Sequence, residues 1–284
     1  MTIESKLINK FREISYPAKH FKTPENIVNK YRLTLSDNFD VTEILGKVLP
    51  RISKDGIVIL STKRGLKIEN LFCFEEVFGR TIQQGKRNIV TEGVNHFEVS
   101  VQRNNKTAGL SNRDQAMHVD GIYYTQSYPK IVMLYCLYPA TIGGYSLLVD
   151  GLQVYNYLSK HYRQGLEALC LPDAISIELI FQDKKIISIP VFQQMKNGNY
   201  SFTYTPYANK INGTESAERA YKMISGFIHS PRNQLKFKLK QGETLVLDNT
   251  RFVHARTGFP REEKRIISRI WFDGMSNHNL NLGF

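Results

Sequence analysis

The stretch LVLDNTRFVHARTGF, residues 245–259, joins a β-type run to a histidine through a polar Asp-Asn turn, and the histidine is His254. A second stretch, AMHVDGIYY at 116–124, places His118 and Asp120 at i and i+2. On an extended chain these two side chains point to the same face of the strand. Two histidines and one carboxylate are the parts of a facial triad, which holds non-haem Fe(II) and leaves the opposite coordination positions open.

A single H-x-D sequence is weak support for a metal site. The chain contains seven histidines in 284 residues, so one such triplet arising by chance would be unremarkable. The remaining histidines show no partner pattern and are interpreted as surface or hydrogen-bonded structural residues: His20, His96, His161, His229 and His278.

Two arginines near the end of the chain strengthen the interpretation. Arg265 and Arg269 lie 11 and 15 residues after His254, in the run RIISRIWF that is otherwise typical of a buried strand. Arginine is almost never buried without a partner, and its planar fork suits bidentate pairing with a carboxylate. A dicarboxylate co-substrate beside the metal would explain both arginines. The alternative is that both lie on the solvent face of an edge strand.

Apolar periodicity predicts a mixed α/β protein with a β core, a β-sandwich or barrel carrying helical additions. Spacing of three and four residues predicts helices, and short β-branched or alternating runs predict strands. The helices are expected over 40–54 (despite Pro50), 68–80, 152–170 and 215–228. The strands are expected over 56–62, 96–102, 130–140 and 143–151, and in the runs IISIPVF, NYSFTYTPY, QLKFKLK, ETLVLDN and RIISRIWF.

Composition places the chain among ordinary globular proteins, with 42% hydrophobic and 23% charged residues. No apolar run approaches the roughly 20 residues that span a bilayer, and the N-terminal residues lack the apolar segment of a secretory signal. Three scattered cysteines, none in a C-x-x-C pair, indicate neither a disulfide framework nor a zinc site. We therefore expect a cytoplasmic protein that is not attached to a membrane.

The ordered motifs HVD, GGYS, LDNTRFVHAR and RIISR resemble the taurine dioxygenase (TauD/TfdA) and clavaminate synthase-like family of Fe(II)- and 2-oxoglutarate-dependent oxygenases. The resemblance covers about residues 40–273. It implies a double-stranded β-helix, or jelly roll, with flanking helices. We expect one oxygenase domain over 1–284, with an N-terminal extension over about 1–90 and a jelly-roll core over about 91–275.

The resemblance also implies roles for individual residues. His118, Asp120 and His254 would bind the iron, and Arg265 would pair with the distal carboxylate of 2-oxoglutarate. Ser146 stands where the family commonly has threonine, and its hydroxyl would donate to the same carboxylate. The implied reaction consumes O₂ and 2-oxoglutarate and releases succinate and CO₂. Because a carboxylate is present at the second ligand position, hydroxylation or desaturation is expected rather than halogenation.

The residues that select the primary substrate are less clearly marked. Arg269 matches a position that meets an anionic group of the substrate in some members and helps to hold the co-substrate in others. Gln102 and Asn104, in a polar loop before the first ligand, and Tyr123 and Tyr204, in aromatic runs, are candidates for the pocket wall. The motifs favour a small-molecule substrate, either an amino acid or an amino-acid-derived metabolite of natural-product biosynthesis. Taurine or another sulfonate is an alternative, and a homo-oligomer is possible.

The net charge of +12 raises the alternative of a nucleic-acid-directed protein, either a basic binding module or a dealkylating oxygenase. The basic residues are spread along the whole chain, however, and several alternate with apolar residues as on a solvated strand face. A nucleic-acid partner is therefore not favoured by the sequence.

Overall fold

The computed structural model describes residues 23–84, 89–91, 94–100, 110–123, 128–179 and 186–284. The α-helices found in these ranges are α1 (Glu25–Asn29), α2 (Val41–Glu43), α3 (Leu49–Asp55), α4 (Phe74–Phe78), α5 (Gly151–His161), α6 (Arg163–Leu169) and α7 (Glu215–His229). A π-helical turn, Ile44–Val48, joins α2 to α3, and short 3₁₀ turns occupy Ile68–Leu71 and Pro231–Asn233.

The strands of the same ranges are β1 (Arg32–Leu35), β2 (Ile57–Thr62), β3 (Ile89–Thr91), β4 (Val94–Ser100), β5 (Gln115–His118), β6 (Ile131–Tyr138), β7 (Ser146–Asp150), β8 (Ile175–Leu179), β9 (Ile186–Ile189), β10 (Phe192–Gln194), β11 (Tyr200–Phe202), β12 (Ala208–Gly213), β13 (Leu235–Phe237), β14 (Thr244–Asp248), β15 (Phe252–Arg256) and β16 (Ile266–Phe272). They form a major sheet in the order β1-β2-β14-β6-β16-β4-β3 and a minor sheet in the order β13-β7-β15-β5. Smaller sheets are β12-β8-β9 and β10-β11.

The major and minor sheets face each other across one of three apolar clusters. That cluster takes residues from β2, β6, β14 and β16 of the major sheet and from β7, β13 and β15 of the minor sheet. The other face of the major sheet packs against the N-terminal helices, and the other face of the minor sheet packs against α5, α6 and α7. Since side chains alternate along a strand, each sheet buries both of its faces.

The predicted mixed fold with a β core is confirmed, and the differences are local. Helix formation over 40–54 is confirmed, with Pro50 near the start of α3, where its missing N–H costs least. The segment 68–80 contains only a 3₁₀ turn and the short helix α4. The segment 152–170 divides into α5 and α6 at Tyr162, whose φ of −159° leaves the helical region.

Local sequence explains where the helices begin. Asp40, Asp150 and Thr214 each cap a helix, because each side chain accepts a hydrogen bond from a backbone N–H of the first turn. The cap at Asp150 lies at the end of β7, where the chain passes from the minor sheet into α5.

Candidate metal centre

The two histidines of the predicted triad lie opposite each other on neighbouring strands. β15 carries His254, β5 ends at His118, and antiparallel pairing brings these two residues into register. Their neighbours Met117 and Val253 point the other way, into the cluster shared with the helices. Because side chains alternate along a strand, both imidazoles face the space between the two large sheets. Asp120 follows His118 by two residues and lies beside both imidazoles.

The ligand atoms of the triad form a compact, buried group. One atom from each of His118, Asp120 and His254 lies within 4.8 Å of the others. His118 Nε2 is 3.3 Å from Asp120 Oδ1, and His254 Nε2 is 3.8 Å from Asp120 Oδ2. The three residues are only 5%, 3% and 7% exposed. Two imidazole nitrogens and one carboxylate at this spacing match the donor set of a facial triad.

Contacts outside the triad orient its members. His118 Nδ1 donates to the Ala116 carbonyl oxygen at 2.8 Å, which fixes the ring with Nε2 directed at Asp120. The backbone of Asp120 is held by Asn249, whose Oδ1 accepts from Asp120 N at 2.9 Å and whose Nδ2 donates to Asp120 O at 3.0 Å. Asn249 belongs to the Asp-Asn turn after β14, which therefore anchors the carboxylate ligand across the two sheets.

Electrostatics keep Asp120 and His254 in the protonation states that a metal requires. Burial by itself would raise the pKa of Asp120, but the charge of Arg269, followed by the contact with His118, holds that pKa well below its usual range. Burial and the neighbouring His118 lower the pKa of His254 to about 3. At neutral pH the carboxyl is ionised and the His254 imidazole is neutral, so lone pairs are available for a cation.

The triad opens onto a cavity of about 520 Å³ between the sheets. Its wall includes side chains from β4, β5, β6, β7, β15 and β16 as well as from connecting segments. The predicted residues Arg265, Arg269, Ser146 and Tyr123 all line this cavity together with the triad. The structure thus brings together residues that lie as far apart in the chain as His118 and Arg269.

Arg265 is a half-buried cation without a carboxylate. It forms no ion pair with any residue that the structure describes, and burial lowers its pKa to about 10. Gly144 adopts a φ of 66°, and a Cβ there would lie 3.2 Å from Arg265 Cδ and Nε. The glycine therefore lets the arginine lie close to the backbone. Ser146, nearby on β7, makes no hydrogen bond through its hydroxyl within the described part of the chain.

Arg269 is held differently. Its Nη1 donates to Asp120 at 3.0 Å, and its Nε donates to Gln84 Oε1 at 2.8 Å. Gln84 in turn donates through Nε2 to the Arg269 carbonyl oxygen at 3.1 Å. The two arginines therefore differ in their ion pairs: Arg269 pairs with Asp120, and Arg265 has no acidic partner among the described residues.

The predicted substrate residues have mixed outcomes. Tyr123 lines the cavity, whereas the prediction for Tyr204 is wrong. The Tyr204 ring is 2% exposed and stacks on Tyr221 of α7 at a centroid distance of 4.9 Å, so it belongs to the core behind the minor sheet. Gln102 and Asn104 lie outside the described residues.

Several cavity residues were not among the predicted site residues. Tyr207 lies with its ring centroid 5.5 Å from that of His118, and Gln115 Nε2 is 3.2 Å from His118 Nε2. Trp271 donates to Asp120 through its indole N–H; its position two residues after Arg269 on the same strand face was a usable signal. Gln84 precedes the triad by more than thirty residues, and no local pattern marks it.

Comparison with known proteins agrees with this geometry. The model of a family described as taurine catabolism dioxygenase TauD, TfdA family matches residues 20–271. The chain belongs to this family. Within the described residues, no helix is long and apolar enough to cross a membrane.

Individual curated proteins of this kind share less than a third of their residues with the chain over the matched region. A trimethyllysine dioxygenase of Meyerozyma guilliermondii is 28% identical over 166 residues, which are 55% of this chain and 41% of that protein. A uridine-5'-phosphate dioxygenase of an Amycolatopsis species is 28% identical over 156 residues, 53% of this chain and 56% of that protein. The chain thus spans about half the length of these curated relatives.

The fold is also that of a solved asparagine oxygenase, in complex with Fe(II), 2S,3S-3-hydroxyasparagine and succinate. The TM-score is 0.59 at 15% sequence identity, and the match covers 86% of this chain and 94% of that chain. At this identity the likeness concerns the fold alone.

Proposed function

We propose that the protein is an Fe(II)- and 2-oxoglutarate-dependent oxygenase that hydroxylates or desaturates a small molecule and releases succinate and CO₂. The observation that carries this proposal is the shared cavity, in which a buried two-histidine, one-carboxylate triad faces a half-buried arginine without an acidic partner among the described residues. A cation left unpaired in a cavity beside a metal site calls for an anionic ligand.

The residues fit the metal. His118, Asp120 and His254 offer two imidazole nitrogens and one carboxylate oxygen, and the cavity on the open side leaves room for further ligands. When bound, Fe(II) with 2-oxoglutarate supplies the oxidising chemistry that attacks a C–H bond. The protein's own part is to fix three ligands on one side and to leave the cavity on the other side open to co-substrate and substrate.

The cavity charge fits a dicarboxylate. The lining residues that the structure describes include three guanidinium groups, on Arg256, Arg265 and Arg269, and one carboxylate, on Asp120. After the ion pair of Arg269 with Asp120, Arg265 is left without an acidic partner among the described residues, and a carboxylate of 2-oxoglutarate would supply one. We assign the distal carboxylate to Arg265 and to the hydroxyl of Ser146, because Arg265 forms no ion pair and the Ser146 hydroxyl no hydrogen bond within the described residues.

The proposed primary substrate is an amino acid or an amino-acid-derived metabolite. Its support comes from the names of similar proteins, a trimethyllysine dioxygenase and an asparagine oxygenase, and from the modest size of the cavity. Tyr123, on the cavity wall, is assigned to substrate contact. A taurine or sulfonate dioxygenase and a nucleic-acid-directed protein are the alternatives.

The finer fold assignments belong to the same proposal. We assign the facing major and minor sheets to a double-stranded β-helix and the chain to one oxygenase domain. The pairing of β2 with β14 supports one domain, because it joins the N-terminal segment to the major sheet. The cytoplasmic location and the possible homo-oligomer stay predictions.

The test is an anaerobic titration of metal-free protein with Fe(II) and then 2-oxoglutarate, followed by visible absorption. We expect a weak charge-transfer band that needs both additions and the wild-type triad. His161→Ala, which changes an exposed histidine of α5, serves as the matched control and should keep the band. Iron-loaded protein without a band would refute the proposal. Candidate substrates are then ranked by succinate release, and a salt-sensitive, iron-independent affinity for nucleic acid would favour the basic binding module.

A further inference from the structure

Trp271 places an indole N–H against the carboxylate of the triad. Its Nε1 donates to Asp120 Oδ2 at 3.0 Å. The Trp271 side chain is 1% exposed and packs in the cluster between the two large sheets, and it is the only tryptophan of the chain. Since a buried indole has a fixed ring plane, the direction of its N–H is fixed by packing. One oxygen of Asp120 is therefore held by the core of the protein.

The second oxygen of Asp120 has a different environment. Oδ1 lies 3.3 Å from His118 Nε2 and accepts from Arg269 Nη1 at 3.0 Å, while the same Nη1 is 3.3 Å from Oδ2. Arg269 and Trp271 are two residues apart on β16, so both donors approach from the same strand face. Together they restrict rotation of the carboxylate about its bond to the side chain.

The number of oxygens that Asp120 offers to a metal matters for the chemistry. A facial triad uses one oxygen from its carboxylate and keeps the opposite positions open for co-substrate and O₂. A carboxylate free to rotate also binds a metal through both oxygens, which would occupy one of those positions. A donor that retains one oxygen prevents this.

We propose that Trp271 is a positioning residue whose N–H retains Asp120 Oδ2 and so keeps the carboxylate from binding a metal through both oxygens. This inference rests on the proposed function, because it requires that the triad binds a metal. It extends that function by assigning a role in metal binding to a residue that does not itself touch the metal.

The test compares metal binding in three folded proteins by the electron paramagnetic resonance signal of free Mn(II). Trp271→Phe keeps an aromatic ring in the core and removes the N–H. We expect its Mn(II) dissociation constant to rise by about 10- to 100-fold, the usual effect of losing a group that orients a metal ligand. Phe237→Leu, a buried aromatic of the same cluster, is the matched control and should change the constant by less than about threefold. An unchanged constant in Trp271→Phe overturns the inference.

A second measurement uses the native chain and does not depend on the variant folding. Because Trp271 is the only tryptophan, ¹⁵N-tryptophan labelling gives one indole N–H resonance. We expect diamagnetic Zn(II) to shift this resonance and to saturate the shift at one equivalent. An indole N–H chemical shift that does not change when Zn(II) binds overturns the inference. If wild-type protein binds no metal, the proposed function fails as well; if it binds metal and Trp271→Phe binds it equally, only the role of Trp271 fails.

Discussion

Replacing Arg265 with glutamine is expected to change stability and 2-oxoglutarate affinity in opposite directions. In the free protein the guanidinium is half-buried without a carboxylate among the described residues, and burial lowers its pKa from 12.5 to about 10. At about 1.4 kcal/mol per pKa unit, this shift corresponds to no more than roughly 3.5 kcal/mol of unfavourable charge burial. Water in the cavity screens part of that cost. Arg265→Gln should therefore raise the free energy of unfolding by about 1–2 kcal/mol.

The same change should weaken 2-oxoglutarate binding strongly. Losing one partner of a buried, hydrogen-bonded charge pair costs about 2–5 kcal/mol, and about 3 kcal/mol corresponds to a factor of roughly 100 in the dissociation constant. Urea unfolding with and without 2-oxoglutarate, in the presence of Mn(II), measures both effects on one sample. Arg261→Gln, which removes the same charge from an exposed position, is the control. Wild-type affinity for 2-oxoglutarate in Arg265→Gln would refute the reasoning.

Three further predictions concern the triad and the turn that supports it. His254→Ala should abolish metal binding and succinate formation, both measured against His161→Ala; iron-dependent turnover in His254→Ala would exclude the triad. Arg269→Gln removes the main charge that lowers the pKa of Asp120, so the pH at which Mn(II) binding is half lost should move upward, and an unchanged pH profile would contradict this. Asp248 is buried, and burial raises its pKa from 3.8 to about 6. The folded protein therefore binds a proton at Asp248 more tightly than the unfolded chain does. This stabilisation of the folded state is complete below pH 4 and is lost as the pH rises through 6. Asp248→Asn should remove up to about 3 kcal/mol of that pH dependence between pH 4 and 7 in urea unfolding, and an identical slope would count against it.

Periodicity predicted the elements that make the site, because each depends on local pattern. The run RIISRIWF predicted two arginines beside the metal site, and both Arg265 and Arg269 line the cavity. The i, i+2 spacing of His118 and Asp120 likewise predicted that their side chains lie together, as they do.

Sequence periodicity did not predict the direction of a side chain where that direction depends on packing between distant elements. Tyr204 and Tyr207 come from one aromatic run, yet Tyr204 stacks on α7 and Tyr207 lines the cavity. An aromatic residue where a strand passes into a loop can pack equally well in the core behind the minor sheet or in the wall of the cavity. The choice is made by the helix that packs behind the minor sheet.

The sequence by itself determined the donor types of the site, their spacing along each strand, and the family to which the chain belongs. These properties depend on residues that are close in the chain or that lie in a fixed order. Tertiary structure decided which of the two cavity arginines is already paired, and which groups hold the carboxylate. The contacts of Arg269 and Trp271 with Asp120 join residues 149 and 151 positions apart. A hydrogen bond at that separation exists only after the two sheets have packed face to face, so no local pattern contains it.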